Sequence, residues 1–172
     1  IGTKFKQKKR LNWCNKYVQW IERDWNKVIF SDESHFELIN RKNRSFVRRT
    51  MQEKDQPFCL QPRIQGGGGS VSVRGCFTAH GTGLLLFYEG RLNARSYIDL
   101  ISEELPSYFD NIFGSELIQA YFQQDNAPCH KAKFSIAWFR NNNIPLLDWP
   151  PTSQDIKPIE NILLIVTFKT TK

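Results

Sequence analysis

Short apolar runs alternate with amphipathic stretches along this chain, and the pattern predicts a mixed α/β domain. Apolar residues at helical spacing predict helices over Arg10–Asp24, Tyr97–Phe109 and Lys131–Asn141, with a last helix from Ile159 onward. Runs of β-branched and aromatic residues predict strands at Val28–Phe30, His35–Ile39, Ser45–Arg49, Val71–Phe77, Leu84–Tyr88, Tyr121–Gln124 and Ile144–Trp149. Because helices and strands interleave, we expect one α/β domain with a mixed central sheet flanked by helices.

Local signals predict where some of these elements begin and which face they bury. Gly81-Thr-Gly83 is typical of a hairpin turn. Ser96 is suited to cap the helix that follows it, and Pro106 should kink that helix or end its regular part. In the helix over Lys131–Asn141, three side chains are expected to face inward: Phe134, Ala137 and Trp138. We interpret three tryptophans as packing residues rather than platforms for stacked bases: Trp13, Trp20 and Trp25.

The charge of the chain favours a polyanionic partner. Its 172 residues include 24 Lys and Arg against 17 Asp and Glu, a net charge of +7. Because Lys and Arg neutralise phosphates, this balance favours nucleic acid, and a merely basic protein is the alternative. The tract over residues 4–10 is either a solvated linker end or an arm that contacts phosphates, and we place a basic linker over residues 1–9.

Two other compositional features exclude classes of protein. No apolar run approaches the roughly 20 residues that a spanning helix needs, so we expect no membrane partner. The four cysteines lack the paired spacing of a zinc site or a disulfide framework: Cys14, Cys59, Cys76 and Cys129. A reducing, intracellular compartment fits this pattern best.

Three carboxylates stand where they can share a divalent metal ion. Asp32 closes the apolar run 28–31, Asp125 ends the run 121–124, and Glu160 lies where the last helix should begin. Adjacent strands lie less than about 5 Å apart, so the two aspartates can meet if their strands pair. A glutamate in the first helical turn can then join them, and its charge suits the helix dipole.

Carboxylates gathered in this way are ligands for magnesium or manganese. Two such ions about 4 Å apart can activate a water or a 3′-hydroxyl and stabilise the leaving oxygen. Each acid also has an ordinary alternative: Asp32 as a turn former, Asp125 as an Asx turn or helix cap, and Glu160 as a first-turn acid. If the charges cluster, Asp125→Asn should abolish metal binding and raise the stability of the metal-free protein.

Polar neighbours of these acids have open roles. His35, Asn126 and His130 are candidates for contacting DNA or for supporting the metal-ligating side chains, and a structural histidine is an equal alternative. Three further acids are expected to lie apart from the site: Glu33 on the opposite face of the strand, Asp148, and Asp155 in a loop.

Four motifs follow one another between residues 10 and 162. They are Lys27-Val-Ile-Phe-Ser-Asp-Glu-Ser34, Gly67-Gly-Gly-Ser-Val-Ser-Val73 with Gly75-Cys-Phe77, Phe122-Gln-Gln-Asp-Asn-Ala-Pro-Cys-His130, and Leu147-Asp-Trp-Pro150 leading to Pro158-Ile-Glu-Asn161. Together they resemble the Tc/mariner superfamily of DDE transposases. The 34 residues between the second and third acids, and Glu as the third, resemble the Tc-type branch.

The resemblance implies an RNase H-like fold and cut-and-paste DNA transposition. It implies that Asp32, Asp125 and Glu160 are the catalytic residues and ligands of two magnesium or manganese ions, with Asp32 and Asp125 on neighbouring strands. The expected partner is DNA, both transposon ends and target, and the expected location is the nucleus. A homodimer is left open.

The chain departs from the family pattern in ways that favour an inactive or domesticated nucleic-acid-binding remnant as the alternative. Arg74 replaces a usual Trp, and Gln154 and Lys157 replace a Pro and an Asn. The apolar segment over residues 161–172 replaces a long charged helix, so we expect a truncated or altered C-terminal helix in a catalytic domain over residues 10–172. We expect the family's helix-turn-helix region to be missing, and with it the recognition of specific ends. A different RNase H-like nuclease, such as an RNase H or a resolvase, is disfavoured by the four motifs.

Overall fold

A four-stranded mixed sheet forms the centre of the fold. The computed structural model describes residues 4–37, 50–52, 56, 70–114 and 120–160. Its strands are β1 (Val28–Glu37), β2 (Ser70–Thr78), β3 (Gly81–Tyr88) and β4 (Tyr121–Gln123), in the order β3-β2-β1-β4. β2 is antiparallel to both of its neighbours, whereas β1 and β4 run parallel. The expected mixed sheet is therefore confirmed.

Six α-helices surround the sheet in the described part of the chain. They are α1 (Lys4–Tyr17), α2 (Glu22–Trp25), α3 (Ala94–Ser102), α4 (Leu105–Phe113), α5 (Pro128–Lys131) and α6 (Lys133–Asn141). A short 3₁₀ helix covers Gln154–Ile156, and helical structure resumes over 158–160. None of the helices in these described ranges is both long and apolar enough to cross a membrane.

Two hydrophobic clusters are built on alternate residues of β1. Ile29 belongs to a cluster with residues of α3, α4 and α6, while Val28 and Phe30 belong to a second cluster with Leu147 and Trp149. Successive side chains of a strand point to opposite faces, so β1 buries both of its faces. The three tryptophans pack against the second cluster as predicted: Trp13, Trp20 and Trp25.

The predicted helix over Arg10–Asp24 is wrong in its bounds. α1 begins at Lys4 and ends at Tyr17, and a separate short helix, α2, follows. α1 ends at Tyr17, which is buried, whereas Val18 and Ile21 are exposed. The apolar residues of this segment therefore do not continue along one face of a single helix. Residues 4–9, expected to be linker, are thus helical, and the domain boundary at residue 10 stays a prediction.

The sequence prediction of two strands around Asp32 is also wrong. β1 runs without a break from Val28 to Glu37 and pairs with β2 from Phe30 to Glu37. Asp32 therefore lies within a strand, opposite Gly75, rather than at a strand end. The polar residues that suggested a turn are accommodated because Ser31 and Glu33 hydrogen-bond to the Arg74 side chain. The predicted turn and strand over 40–49 lie outside the described residues.

Three local predictions are corrected in the second half of the chain. The hairpin turn falls at residues 79–80, so Gly81 opens β3. Asn93 caps α3 by accepting from the N–H groups of Arg95 and Ser96, and Ser96 hydrogen-bonds back to the N–H of Asn93. The single helix predicted over Tyr97–Phe109 is two helices, and Pro106 lies in the first turn of the second.

The buried face of α6 agrees with the prediction only in part, because Trp138 packs against the first cluster as expected but Ala137 is exposed. Ser135 and Phe139 are buried, whereas Phe134 is 43% exposed. Phe134 instead packs under the Arg95 guanidinium, 4.9 Å from its ring centroid. Ser135 can face inward because its hydroxyl donates to the Cys129 carbonyl (2.6 Å). Apolar spacing alone gives no sign of that hydrogen bond.

Candidate active site

The parallel register of β1 and β4 places Asp32 beside Asp125. Phe30 pairs with Gln123, and each aspartate lies two residues further along its own strand direction. Asp125 is thus just beyond β4, whereas Asp32 lies within β1 and pairs with Gly75 of β2. The expected neighbourhood of these two strands is confirmed, although only Asp125 follows a strand end.

One cleft of about 630 Å³ brings the three predicted acids together. Asp32, Asp125 and Glu160 all line it, along with Trp149 and the loop that follows. The loop delivers Glu160 through the turn at Lys157, whose carbonyl accepts from the Glu160 N–H at 3.2 Å. Side chains separated by 128 positions in sequence therefore face one volume.

Glu160 and Asp32 interact directly inside this cleft. Burial and the charge of the Asp32 carboxylate, with which Glu160 shares a hydrogen bond, raise the pKa of Glu160. Asp125 raises the pKa further, and the ammonium of Lys157 opposes the rise. The charge of Asp32 therefore disfavours ionisation of Glu160 in the metal-free cleft.

Asp125 is held in its ionised form by neighbours in sequence. Its Oδ1 accepts from the Ala127 N–H at 2.8 Å, which is the Asx turn foreseen as an alternative. The same oxygen lies 2.6 Å from Nδ1 of His130, and this hydrogen bond is the main cause that lowers the pKa of Asp125 to about 2. The turn and the cleft are therefore compatible roles for one side chain.

His130 connects Asp125 to a buried ion pair. Its ring is 1% exposed, and burial lowers its pKa, so the neutral imidazole donates through Nδ1 to the carboxylate. Nε2 lies 3.1 Å from Oε1 of Glu33 and 3.3 Å from Nη1 of Arg74. Arg74 Nη1 also donates to Glu33 Oε1. A continuous polar chain thus runs from β2 to Asp125.

Arg74 is anchored on several sides within the core. Its Nη2 donates to the Ser31 hydroxyl at 2.7 Å, and that hydroxyl donates to the Gln123 carbonyl at 2.7 Å. The guanidinium lies 4.7 Å from the ring centroid of Tyr97, a cation–π distance. A buried cation so fully engaged fixes the position of Glu33 and, through His130, of Asp125.

A lysine neutralises the other aspartate. Nζ of Lys157 lies 2.7 Å from Oδ1 of Asp32, and their side chains are 2% and 11% exposed. Asp32 Oδ1 also accepts from the Glu33 N–H at 3.0 Å. The ammonium of Lys157 therefore partners the Asp32 carboxylate inside the cleft.

Of the remaining candidate residues, Asn126 lines the cleft, whereas His35, Asp148 and Asp155 do not. Asn126 lines the cleft and donates to the Trp149 carbonyl at 2.9 Å. His35 lies away from the cleft and is 2.9 Å from the Ser72 hydroxyl, which favours its structural alternative. Asp148 and Asp155 face Lys16 and Arg10 and do not line the cleft, as expected.

Sequence reasoning missed three participants in this site. The expectation that Glu33 lies apart from the site is wrong, because Glu33 lines the cleft and contacts His130. Arg74 and Lys157 had no predicted role. Their signals were in the sequence, because both are positions where the chain departs from the family pattern by adding a cation.

The donor chemistry of the cleft suits a hard cation, although its carboxylates are engaged with protein partners. Carboxylate oxygens are the ligands that magnesium prefers. Among the described residues, no three His, Cys, Asp or Glu side chains are arranged to hold an ion as they stand. Lys157 contacts Oδ1 of Asp32, and His130 contacts Oδ1 of Asp125. A cation that bound Oδ1 of Asp32 would displace the ammonium.

Comparisons with known sequences identify the family of this chain. Residues 27–170 match the family described as DDE superfamily endonuclease. The chain is 33% identical over 153 residues to the transposable element Tc1 transposase of Caenorhabditis elegans, which covers 89% of this chain and 55% of that protein. It is 32% identical over 156 residues to the Tcb1 transposase of Caenorhabditis briggsae, with 91% and 56% covered. The chain spans about half the length of the curated relatives it matches.

Solved structures of the same architecture include those of the Mos1 mariner transposase. The Mos1 paired end complex with Mn superposes with a TM-score of 0.73 at 18% identity, over 97% of this chain and 49% of that one. The Mos1 catalytic domain superposes with a TM-score of 0.64 at 16% identity, over 99% and 73%. This likeness confirms the RNase H-like fold.

Proposed function

Because this chain belongs to the Tc/mariner family of DDE transposases, we propose that it carries out metal-dependent DNA strand cleavage and strand transfer. In the proposed reaction, water attacks a backbone phosphorus and frees a 3′-hydroxyl at the end of the element. That hydroxyl then attacks a phosphorus of target DNA, so one P–O bond forms as another breaks. The sequence expectation of cut-and-paste transposition is thus retained as a proposal.

The convergence of three carboxylates on one cleft carries this proposal. Asp32, Asp125 and Glu160 come from β1, the end of β4 and a helical turn after the 3₁₀ helix, and all line the same volume. Burial and the charge of Asp32 raise the pKa of Glu160, which supports the close approach of these two acids. A divalent cation bound between them would favour the ionised form of Glu160.

The residues fit magnesium or manganese in donor type. Asp32, Asp125 and Glu160 would hold the metal, with oxygens that are hard ligands. Bound there, two ions would supply Lewis-acid stabilisation of the attacking and leaving oxygens. The solved relatives named for their Mg or Mn contents support this assignment.

The protein's own side chains would prepare the cleft before metal binds. His130 keeps Asp125 ionised and oriented, because its donated hydrogen bond favours the carboxylate form. Arg74 in turn fixes the imidazole ring, because its Nη1 can donate to the unprotonated Nε2 at 3.3 Å. Asn126, tied to the Trp149 carbonyl, holds the loop that forms the wall of the cleft.

DNA is the partner that this function requires. Mos1 structures named as a pre-cleavage transpososome and a strand transfer complex support DNA as the substrate class. Their paired-end assemblies also support a homodimer, and a DNA substrate in the cell supports a nuclear location. These remain proposals for this chain.

A plasmid-nicking assay tests the proposed function. Supercoiled DNA incubated with the protein and manganese should become nicked, and chelation should stop the reaction. Asp125→Asn should be inactive, whereas His35→Asn, outside the cleft, should retain activity. DNA binding without nicking would favour the inactive remnant instead, and nicking by Asp125→Asn would reject the assigned site.

A further inference from the structure

A second groove, of about 620 Å³, adjoins the acidic cleft. We define the lysine groove by Lys9, Asn12, Trp13 and Lys16 of α1 together with Lys131 at the end of α5. Asn126, Trp149, Pro150 and Pro151 line both the groove and the cleft. A surface rich in ammonium groups therefore continues directly from the site that holds the three acids.

The α1 residues of the groove form one helical face. Positions 9, 12, 13 and 16 follow the spacing i, i+3, i+4 and i+7, which places them in a single stripe along a helix. Lys9, Lys16 and Lys131 are exposed, so their ammonium groups are open to solvent. Among the described residues that line the groove, Asp148 is the one acid. Its contact with Lys16 is 3.7 Å between exposed groups, which contributes little.

The charge of α1 is unfavourable for the helix by itself. α1 contains six basic residues and no acid: Lys4, Lys6, Lys8, Lys9, Arg10 and Lys16. Lys4 and Lys8, and likewise Lys6 and Arg10, are like charges four residues apart, and several lysines lie near the positive end of the helix dipole. An anionic partner along the helix would remove this repulsion.

The groove is held in a fixed position relative to the cleft. Arg10 makes two hydrogen bonds to the Asp155 carboxylate, at 2.6 and 2.7 Å, and one to the Thr152 carbonyl. Trp13 Nε1 donates to the Asp148 carbonyl at 2.6 Å. α1 is thus fastened to the loop that forms the wall of the cleft.

We propose that the lysine groove binds the sugar–phosphate backbone of the DNA segment that flanks the cleaved phosphate. The inference rests on the proposed function and extends it, because it places the flanking DNA on a surface next to the three acids of the cleft. Lysine contacts of this kind neutralise phosphates without reading base sequence. The groove would hold the duplex so that the adjoining phosphate enters the cleft.

Fluorescence anisotropy with a labelled duplex of arbitrary sequence, in EDTA and over a range of KCl concentrations, tests this path. The variant Lys9→Ala/Lys16→Ala/Lys131→Ala removes three groove charges. Its matched control, Arg91→Ala/Lys133→Ala/Arg140→Ala, removes three exposed charges that line neither groove nor cleft. Circular dichroism checks that both variants keep their helix content.

The groove variant should bind DNA at least about tenfold more weakly than the wild type at low salt. The negative slope of log K against log salt should become shallower by about 2.7, because each of the three lost phosphate contacts contributes about −0.9. The control should keep the wild-type slope. Equal losses in the two variants, no loss in either, or no DNA binding by the wild type would overturn the proposal. Since metal is absent from this assay, its outcome is separate from that of the nicking assay.

Discussion

Nζ of Lys157 lies 2.7 Å from Oδ1 of Asp32, and the two side chains are almost entirely shielded from solvent. The pair sits in the cleft that Asp125 and Glu160 also line. Lys157 therefore neutralises the same carboxylate that the proposed chemistry requires as a metal ligand. A divalent cation that binds Oδ1 of Asp32 would compete with the ammonium for that oxygen.

Removing Lys157 should tighten metal binding and weaken the metal-free fold. Lys157→Met leaves the buried Asp32 carboxylate unpaired, which should cost about 3 kcal/mol of stability without metal. The variant should bind manganese at least about tenfold more tightly, because the ion then supplies the missing countercharge. Isothermal titration calorimetry measures the affinity, and Lys133→Met, at an exposed lysine, is the control. Unchanged affinity in Lys157→Met would show that the lysine does not compete.

Asp125→Asn should destabilise the metal-free protein at neutral pH, which reverses the expectation from sequence. The His130 hydrogen bond lowers the pKa of Asp125 to about 2, so folding favours the charged form despite the nearby acids. This stability is present above the ordinary pKa near 4 and is lost as pH falls toward 2. The wild type should therefore unfold at a higher temperature than Asp125→Asn at pH 7, by a margin that shrinks with acid. A more stable variant at pH 7 would contradict the assignment.

Glu160→Gln should stabilise the metal-free protein at neutral pH. Burial and the Asp32 charge raise the pKa of Glu160, so its contribution to stability is full below its ordinary pKa and is lost as pH rises through the raised value. Gln does not titrate, so the gain over wild type should grow between acidic and neutral pH in thermal unfolding. Glu103→Gln, an exposed acid, should show no such trend. If the gain in stability stayed constant or shrank as the pH rises, the charge of Asp32 would not be raising the pKa of Glu160.

The Arg74–Glu33 pair should behave as one unit. Arg74→Met leaves Glu33 beside His130 without its cation and should cost about 3 kcal/mol, since breaking a buried pair exposes an uncompensated charge. Glu33→Gln should also destabilise, because the buried guanidinium then loses its counterion. In urea unfolding, the double variant should lose less than the sum of the single losses. Additive losses would show that the two side chains are not coupled.

The three acids chosen from the sequence do line one cleft, but the way in which the chain builds that cleft was not foreseen. The three acids could be chosen because each follows or begins an apolar element, and the parallel pairing of β1 with β4 does bring Asp32 next to Asp125. The strand end at Asp32 was wrong, because the buried polar residues Ser31 and Glu33 are satisfied by Arg74 from β2. Arg74 is 43 residues from Ser31 and 41 residues from Glu33 in the sequence. Contacts over such separations leave no periodic signal in either segment.

The approach of Lys157 to the site also could not be predicted from local sequence patterns. Lys157 belongs to a loop whose path depends on the packing of Ile159 and Trp149 in the second cluster, so its approach to Asp32 cannot be read from neighbouring residues. The inward face of α6 was misjudged because Ser135 is buried by a hydrogen bond to Cys129, and hydrophobic spacing does not encode that bond. The predicted C-terminal helix lies outside the described residues beyond Glu160, and its alteration stays a prediction.

Thermal unfolding with and without manganese tests the central claim most directly, on the wild type and on Asp32→Asn/Asp125→Asn. If the acids form one metal site, manganese at 100 times its dissociation constant should stabilise the wild type by about 2.7 kcal/mol. The double variant should show no shift under the same conditions. Equal shifts in the two proteins, or none in the wild type, would contradict a metal site between β1 and β4.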